Sequence, residues 1–201
     1  HELIVSKRGV QTELCLARLR RWAPKLRTWG VSATLGNLKE ARDVLLGTDS
    51  AGSVLIDSRQ QRPIEVTTMV PVSVDRFPWG GHLGLGMIKR VVEALRQGGS
   101  TLVFTNTRSQ TEIWHQALLD ADPSLKRRIA VHHGSLSREA RSETEDRLMN
   151  GDLLAVVCTS SLDLGLDFSC IDQVIQIGSP KGVARLLQRA GRSGHGPGRV
   201  P

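Results

Sequence analysis

Apolar and polar positions change their period several times along this chain, and each change predicts an element. Over residues 10–22 apolar side chains recur at helical spacing (Val10, Leu14, Ala17), with Arg18, Arg20 and Arg21 between them, which predicts a helix. Residues 28–35 form a short apolar run that predicts a buried strand ending in Ser32-Ala33-Thr34, and Trp22 and Trp29 are expected in the core. Asn37 followed three residues on by Glu40 is a capping-box pattern, so a helix is expected over 38–46, stopped by Gly47. Residues 47–63 are dominated by Gly, Ser, Asp, Gln and Arg, broken by Val54-Leu55-Ile56, and 64–74 turn β-branched and extended. A domain boundary is expected near residue 70, between a first part over 1–70 and a second over 71–201.

Past that boundary the period alternates regularly. Helices are predicted over 83–96, 110–119, 137–149 and 183–190, and strands over 101–105, 128–132, 153–158 and 172–177. Short apolar strands alternating with helices indicate an α/β fold, a parallel sheet with helices on both faces. Working side chains of such sheets lie beyond the carboxyl ends of the strands. Four polar clusters fall there. They are Thr105-Asn106-Thr107-Arg108, then His132-His133-Gly134-Ser135, then Thr159-Ser160-Ser161 leading into Asp163-Leu164-Gly165-Leu166-Asp167. The last is Gln188-Arg189-Ala190-Gly191-Arg192-Ser193-Gly194-His195.

Hydroxyls, amides, glycines and arginines at helix starts suit phosphate oxygens, because the helix amino end offers free N–H groups and a guanidinium matches phosphate in bidentate geometry. Singly, each cluster has a plainer reading. Ser, Thr and Asn are common helix caps, His133 alone reads more readily as an ordinary hydrogen-bonded histidine than as a contact residue, and Gly191 and Gly194 read as a helix stop. Four clusters at one edge of one sheet point together to a nucleotide or nucleic-acid site.

Charge agrees with a polyanionic partner. Lys and Arg outnumber Asp and Glu by 27 to 20, and neutralising phosphates releases condensed counterions; solubility alone would account for the same surplus. The three cysteines, Cys15, Cys158 and Cys170, have no metal-ligand spacing and are expected as buried free thiols of a cytoplasmic protein. No apolar run approaches the about 18 residues of a membrane span. The first residue is His1 and no leader follows it, so a soluble chain cut at both ends is expected.

In their order these clusters resemble the motifs of superfamily 2 helicases. His1 resembles the last residue of a DExH box, and Ser32-Ala33-Thr34 motif III. Residues 104–108 resemble motif IV, 158–168 motif V, and QRAGRSG over 188–194 motif VI. The stretches WGVSATLGNLKEARDVLLG, RFPWGGHLGLG, TLVFTNTRSQTE, VVCTSSLDLGLDF and QIGSPKGVARLLQRAGRSGHGPG resemble the Lhr-type helicases, especially the bacterial ligase-associated DExH group. This resemblance covers nearly the whole chain. It implies the end of one RecA-like motor domain and most of a second, with ATP and Mg2+ held between them and a single strand crossing both. It also implies DNA repair as the setting, with ligase-linked repair proteins as partners and DNA or RNA–DNA duplexes with a single-stranded tail as substrates.

The same resemblance assigns roles. Arg189 and Arg192 would face ATP, one or both as arginine fingers; Gln188 would sense the nucleotide and contact His1; Gly165 and Asp167 would approach the nucleotide. Thr107, Arg108, His133, Gly134, Thr159 and Ser160 would grip the sugar–phosphate backbone, and Ser32 and Thr34 would couple hydrolysis to domain closure. Trp79 would either stack on a base or pack against the second domain's first helix. The 201 residues contain no GxxxxGK(S/T) loop and no DExH carboxylates, so alone they are expected to bind nucleotide weakly and hydrolyse none. A basic single-strand-binding module without ATP chemistry and an RNA-directed helicase are the alternatives. A dinucleotide oxidoreductase is disfavoured, because Gly84 and Gly86 lack the third glycine of its fingerprint.

Overall fold

The computed structural model describes residues 7–32, 35–47, 52–57, 64–71, 84–163 and 170–194. The chain divides into two compact units, His1–Gln61 and Arg62–Pro201.

Among the described residues the second unit is built on four parallel strands: β1 (Thr101–Phe104), β2 (Ile129–His132), β3 (Ala155–Cys158) and β4 (Gln173–Gln176), in the order β2-β3-β1-β4. All four residues of β1 and of β3 are buried, because successive side chains enter opposite cores. Val103, Ala155, Val157, Ile129 and Ile175 pack with Val91 and Leu95 of helix α3 (Ile88–Gly98) and with Trp114 and Leu118 of α4 (Arg108–Ala121). Leu102, Phe104, Val156 and Cys158 face the other way, onto Leu148 of α5 (Arg138–Met149) and onto Leu162 and Ile171. A sheet covered on both faces needs apolar residues at every strand position, which is why these strands read as unbroken apolar runs.

Local chemistry sets the helix ends. Thr107 and Ser137 accept the N–H groups of Gln110 and Ala140, each at 3.2 Å, as N-caps of α4 and α5. Helix α3 is preceded by a 3-10 turn over Leu85–Met87, opened by Gly84 at φ 71° with Trp114 only 3.4 Å from where a Cβ would stand. The left-handed backbone favours glycine there, while a Cβ would meet Trp114 only at ordinary contact distance. Helix α6 (Val183–Ala190) follows β4 and ends at Gly191.

The first unit contains α1 (Lys7–Trp22) and α2 (Leu38–Leu46), joined by a hydrogen bond from the Arg20 guanidinium to the Leu45 carbonyl. The N-cap bond of the expected box forms, Glu40 N–H donating to Asn37 Oδ1 at 3.1 Å, and the two side chains also meet, Asn37 Nδ2 donating to Glu40 Oε2 at 2.9 Å. The strand expected over 28–35 does not form among the described residues of that stretch. An apolar run becomes a buried strand only where neighbours complete its ladder, and the described residues of 28–35 are in irregular backbone. Trp29 and Val31 are accordingly exposed, as is Trp22, whose ring carries the Arg18 guanidinium 4.9 Å from its centroid. Neither tryptophan is in a core. Cys15 is likewise exposed rather than buried, while Cys158 is buried and Cys170 partly so, all three free. No described helix is long and apolar enough to cross a membrane.

Candidate nucleotide and strand interface

Parallel register places Phe104, His132, Cys158 and Gln176 level with one another. The segments that follow them therefore emerge at one edge, and hydrogen bonds knit them together. Asn106 Nδ2 donates to the Ser179 carbonyl at 2.9 Å, tying the loop after β1 to the loop after β4. Arg108 Nη1 donates to Ser135 Oγ at 3.2 Å, tying the start of α4 to the loop after β2. Thr107, Arg108, Gly134 and Ser160 are exposed along this edge, and Thr159 is partly so.

His133 differs from these neighbours. It is buried, with Nε2 2.8 Å from Glu112 Oε1 and Nδ1 accepting the Ser135 N–H at 3.3 Å. A ring nitrogen that accepts a backbone N–H carries no proton, so the neutral ring bears its hydrogen on Nε2 and donates it to Glu112. Both polar atoms of the expected strand contact are thus engaged within the protein.

His132 is also buried and bridges two elements, with Nδ1 2.8 Å from Ser161 Oγ and Nε2 2.9 Å from Glu145 Oε1 of α5. Burial is the largest influence on this ring and holds its pKa below the ordinary histidine value, against the opposing pull of Glu145. The Thr159–Ser161 loop is further fixed by Thr159 N–H on the His132 carbonyl at 3.2 Å.

The two arginines of α6 and its following turn have separate environments. Arg189 is 1% exposed. Its Nε donates to Asp163 Oδ1 at 2.8 Å, its Nη1 to Gln176 Oε1 at 2.5 Å, and its guanidinium lies 4.5 Å from the Phe104 ring centroid. Gln188 is buried as well, donating from Nε2 to the Asp163 carbonyl at 3.0 Å. Arg192 is partly exposed, on a turn held by its own N–H to the Arg189 carbonyl at 2.9 Å and by Ser193 Oγ to the Ala190 carbonyl at 2.9 Å.

Of the other expected site residues, Ser32 lies exposed in the first unit. His1, Thr34, Gly165, Asp167 and Trp79 fall outside the described residues. Among the described residues no three His, Cys, Asp or Glu side chains converge to hold a metal ion. Four residues of this edge carried no assignment from sequence: Glu112, Glu145, Asp163 and Gln176. Asp163 had a readable signal, because an acid set between Leu162 and Leu164 in an apolar stretch requires a cation if buried. Glu112 had a weaker one, being four residues after Arg108 and so on the same face of α4.

Comparison with known proteins agrees with this geometry. Residues 86–196 match the family described as Helicase conserved C-terminal domain. The chain is 37% identical over 199 residues to ATP-dependent helicase Lhr-Core protein 2 of Thermococcus barophilus, covering 97% of this chain and 23% of that protein. It is 35% identical over 206 residues to ATP-dependent helicase Lhr-Core of Saccharolobus solfataricus, with the same coverage of 97% and 23%. Its structure resembles that of Mycobacterium smegmatis helicase Lhr bound to ssDNA and AMP-PNP, with a TM-score of 0.81 and 32% identity, over 100% of this chain and 26% of that one. The chain belongs to the Lhr-type helicases of superfamily 2 and carries their conserved C-terminal helicase domain. It spans about a quarter of the length of these relatives, 23% to 26%.

Proposed function

We propose that this chain is the nucleotide-responsive and strand-gripping part of an ATP-dependent helicase or translocase that moves on single-stranded DNA. Residues 1–70 are the end of its first motor domain and 71–201 most of its second. The observation that carries this reading is the division of labour between Arg189, locked on Asp163, and Arg192, partly exposed on a turn three residues on. Arg192 is the arginine finger and Arg189 the anchor that holds its helix. The γ-phosphoryl transition state spreads negative charge over its oxygens, and a fixed guanidinium there contributes roughly 10³ to 10⁵ in rate. Gln188 joins the anchor through the Asp163 carbonyl, and Gly165 and Asp167 approach the nucleotide from the segment that follows.

The triphosphate cradle and Mg2+ ligands are not supplied by these residues, which contain no GxxxxGK(S/T) loop. Alone, the 201 residues hydrolyse no ATP; robust magnesium-dependent turnover by the purified chain would contradict this. The strand is held by Thr107, Arg108, Gly134, Thr159 and Ser160, hydroxyl, guanidinium and backbone groups that suit phosphate and sugar and read no sequence. His133 braces that edge, and Ser32 and Thr34 couple hydrolysis to closure.

DNA is favoured over RNA because the similar Mycobacterium smegmatis structure is described as bound to ssDNA. A repair role with ligase-linked partners is supported by the sequence resemblance, and a cytoplasmic setting by the free cysteines. The test is ATP hydrolysis by the full-length parent with single-stranded DNA, RNA or neither. DNA should stimulate most. Equal rates in all three would contradict a DNA motor, and stimulation by RNA alone would make it an RNA-directed one.

A further inference from the structure

The residue that joins the two nucleotide-side segments is Asp163, and we propose that it is a positioning residue for the arginine finger. Its side chain is 4% exposed and its carboxylate faces Arg189 with both oxygens, Oδ1 to Nε at 2.8 Å and Oδ2 to Nη2 at 3.4 Å. Its carbonyl takes Gln188 Nε2 at 3.0 Å. Arg185 adds a longer ion pair, Nε to Oδ2 at 3.8 Å. Three side chains of α6 therefore converge on one acid.

Helix α6 has eight residues, and a helix so short has little stability of its own. Its rotation is set by tertiary anchors, and Asp163 receives the two buried ones. The turn that carries Arg192 hangs directly from this anchor, since Arg192 N–H bonds the Arg189 carbonyl at 2.9 Å. A small rotation of α6 moves the Arg192 guanidinium at the end of a long side chain. Gln176 and the Phe104 ring complete the socket around Arg189.

This inference rests on Arg192 being the finger, and the experiment separates the two claims. Strand-stimulated ATP hydrolysis, ATP KM, single-strand affinity and thermal stability are measured on the full-length parent carrying Asp163→Asn, Arg192→Ala or both. Asn keeps the shape and removes the charge. Asp163→Asn should lower kcat about tenfold to a hundredfold, the scale of a sub-ångström to ångström misplacement, with KM and strand affinity little changed. In the Arg192→Ala background it should lower kcat no further, because the finger it positions is gone. The pair Asp163→Asn with Arg189→Gln, which removes both charges, should recover stability but not kcat. Recovery of both, or additive losses in the double variant, would make Asp163 merely structural and overturn the proposal. An Arg192→Ala protein that hydrolyses normally would instead overturn the finger assignment itself.

Discussion

Glu112 holds the ring of His133 by an Nε2–H bond of 2.8 Å, and that bond makes the histidine a brace between α4 and the loop after β2. The other ring nitrogen holds Ser135 N–H, and Ser135 Oγ in turn receives Arg108. Two of the four polar clusters are therefore one connected piece, with Arg108 and Glu112 as its ends.

Removing the brace should loosen the grip without removing a contact. Glu112→Ala in the full-length protein should weaken single-strand binding about two- to tenfold, the effect of one modest hydrogen bond, with the salt dependence unchanged. Fluorescence anisotropy on a labelled strand measures both. A fall in the salt slope would instead mean a lost phosphate contact.

Arg108 should show that second behaviour. It is exposed at the edge, and its replacement by alanine should weaken binding to all sequences alike and lower the slope of log affinity against log salt by about 0.7. The same titration at several salt concentrations decides it. Sequence-dependent losses would contradict a backbone contact.

Arg189 should matter for stability. Its side chain and that of Asp163 are 2% and 4% exposed, so Arg189→Ala strands a buried carboxylate and should cost about 3–5 kcal/mol. Arg189→Lys should rescue only in part, because an ammonium cannot serve Asp163, Gln176 and the Phe104 ring together. Denaturant unfolding reads the loss, and a change within about 0.5 kcal/mol would contradict the anchor role.

His132 should make stability fall on mild acidification. Its burial holds the folded pKa below the ordinary 6.5 against the pull of Glu145, with Arg141 pushing the same way as burial. The unfolded chain then binds more protons than the folded one, so stability is full above pH 6.5 and is lost as pH falls from there through the depressed folded value. Partly buried His115, also lowered by desolvation, adds a contribution of the same sign. His132→Gln should flatten the pH dependence of the unfolding midpoint in this window. An unchanged slope would contradict it.

The second unit was legible because its signals are local. Doubly buried strands such as β1 and β3 read as apolar runs, and Ser137 stands at the start of the helix expected over 137–149. The stretch over 28–35 carried the same apolar signal, but a strand is completed by partners distant in sequence, and Trp29 and Val31 are exposed. At the site, sequence named the groups but not their orientation. Arg189 and Arg192 look alike on paper, and only packing shows that one is sealed against Phe104. His133 and its Glu112 partner are 21 residues apart, and Asp163 and Arg189 are 26 apart; such pairings follow from the sheet, not from local pattern.

The most direct test of the account is strand-stimulated ATP hydrolysis by the full-length parent, as wild type and as Arg192→Ala. The account predicts that single-stranded DNA stimulates the wild type, and that the substitution lowers hydrolysis by roughly 10³ to 10⁵ while strand binding survives. Hydrolysis indifferent to both the strand and the substitution would contradict it and leave a basic domain that only coats single strands.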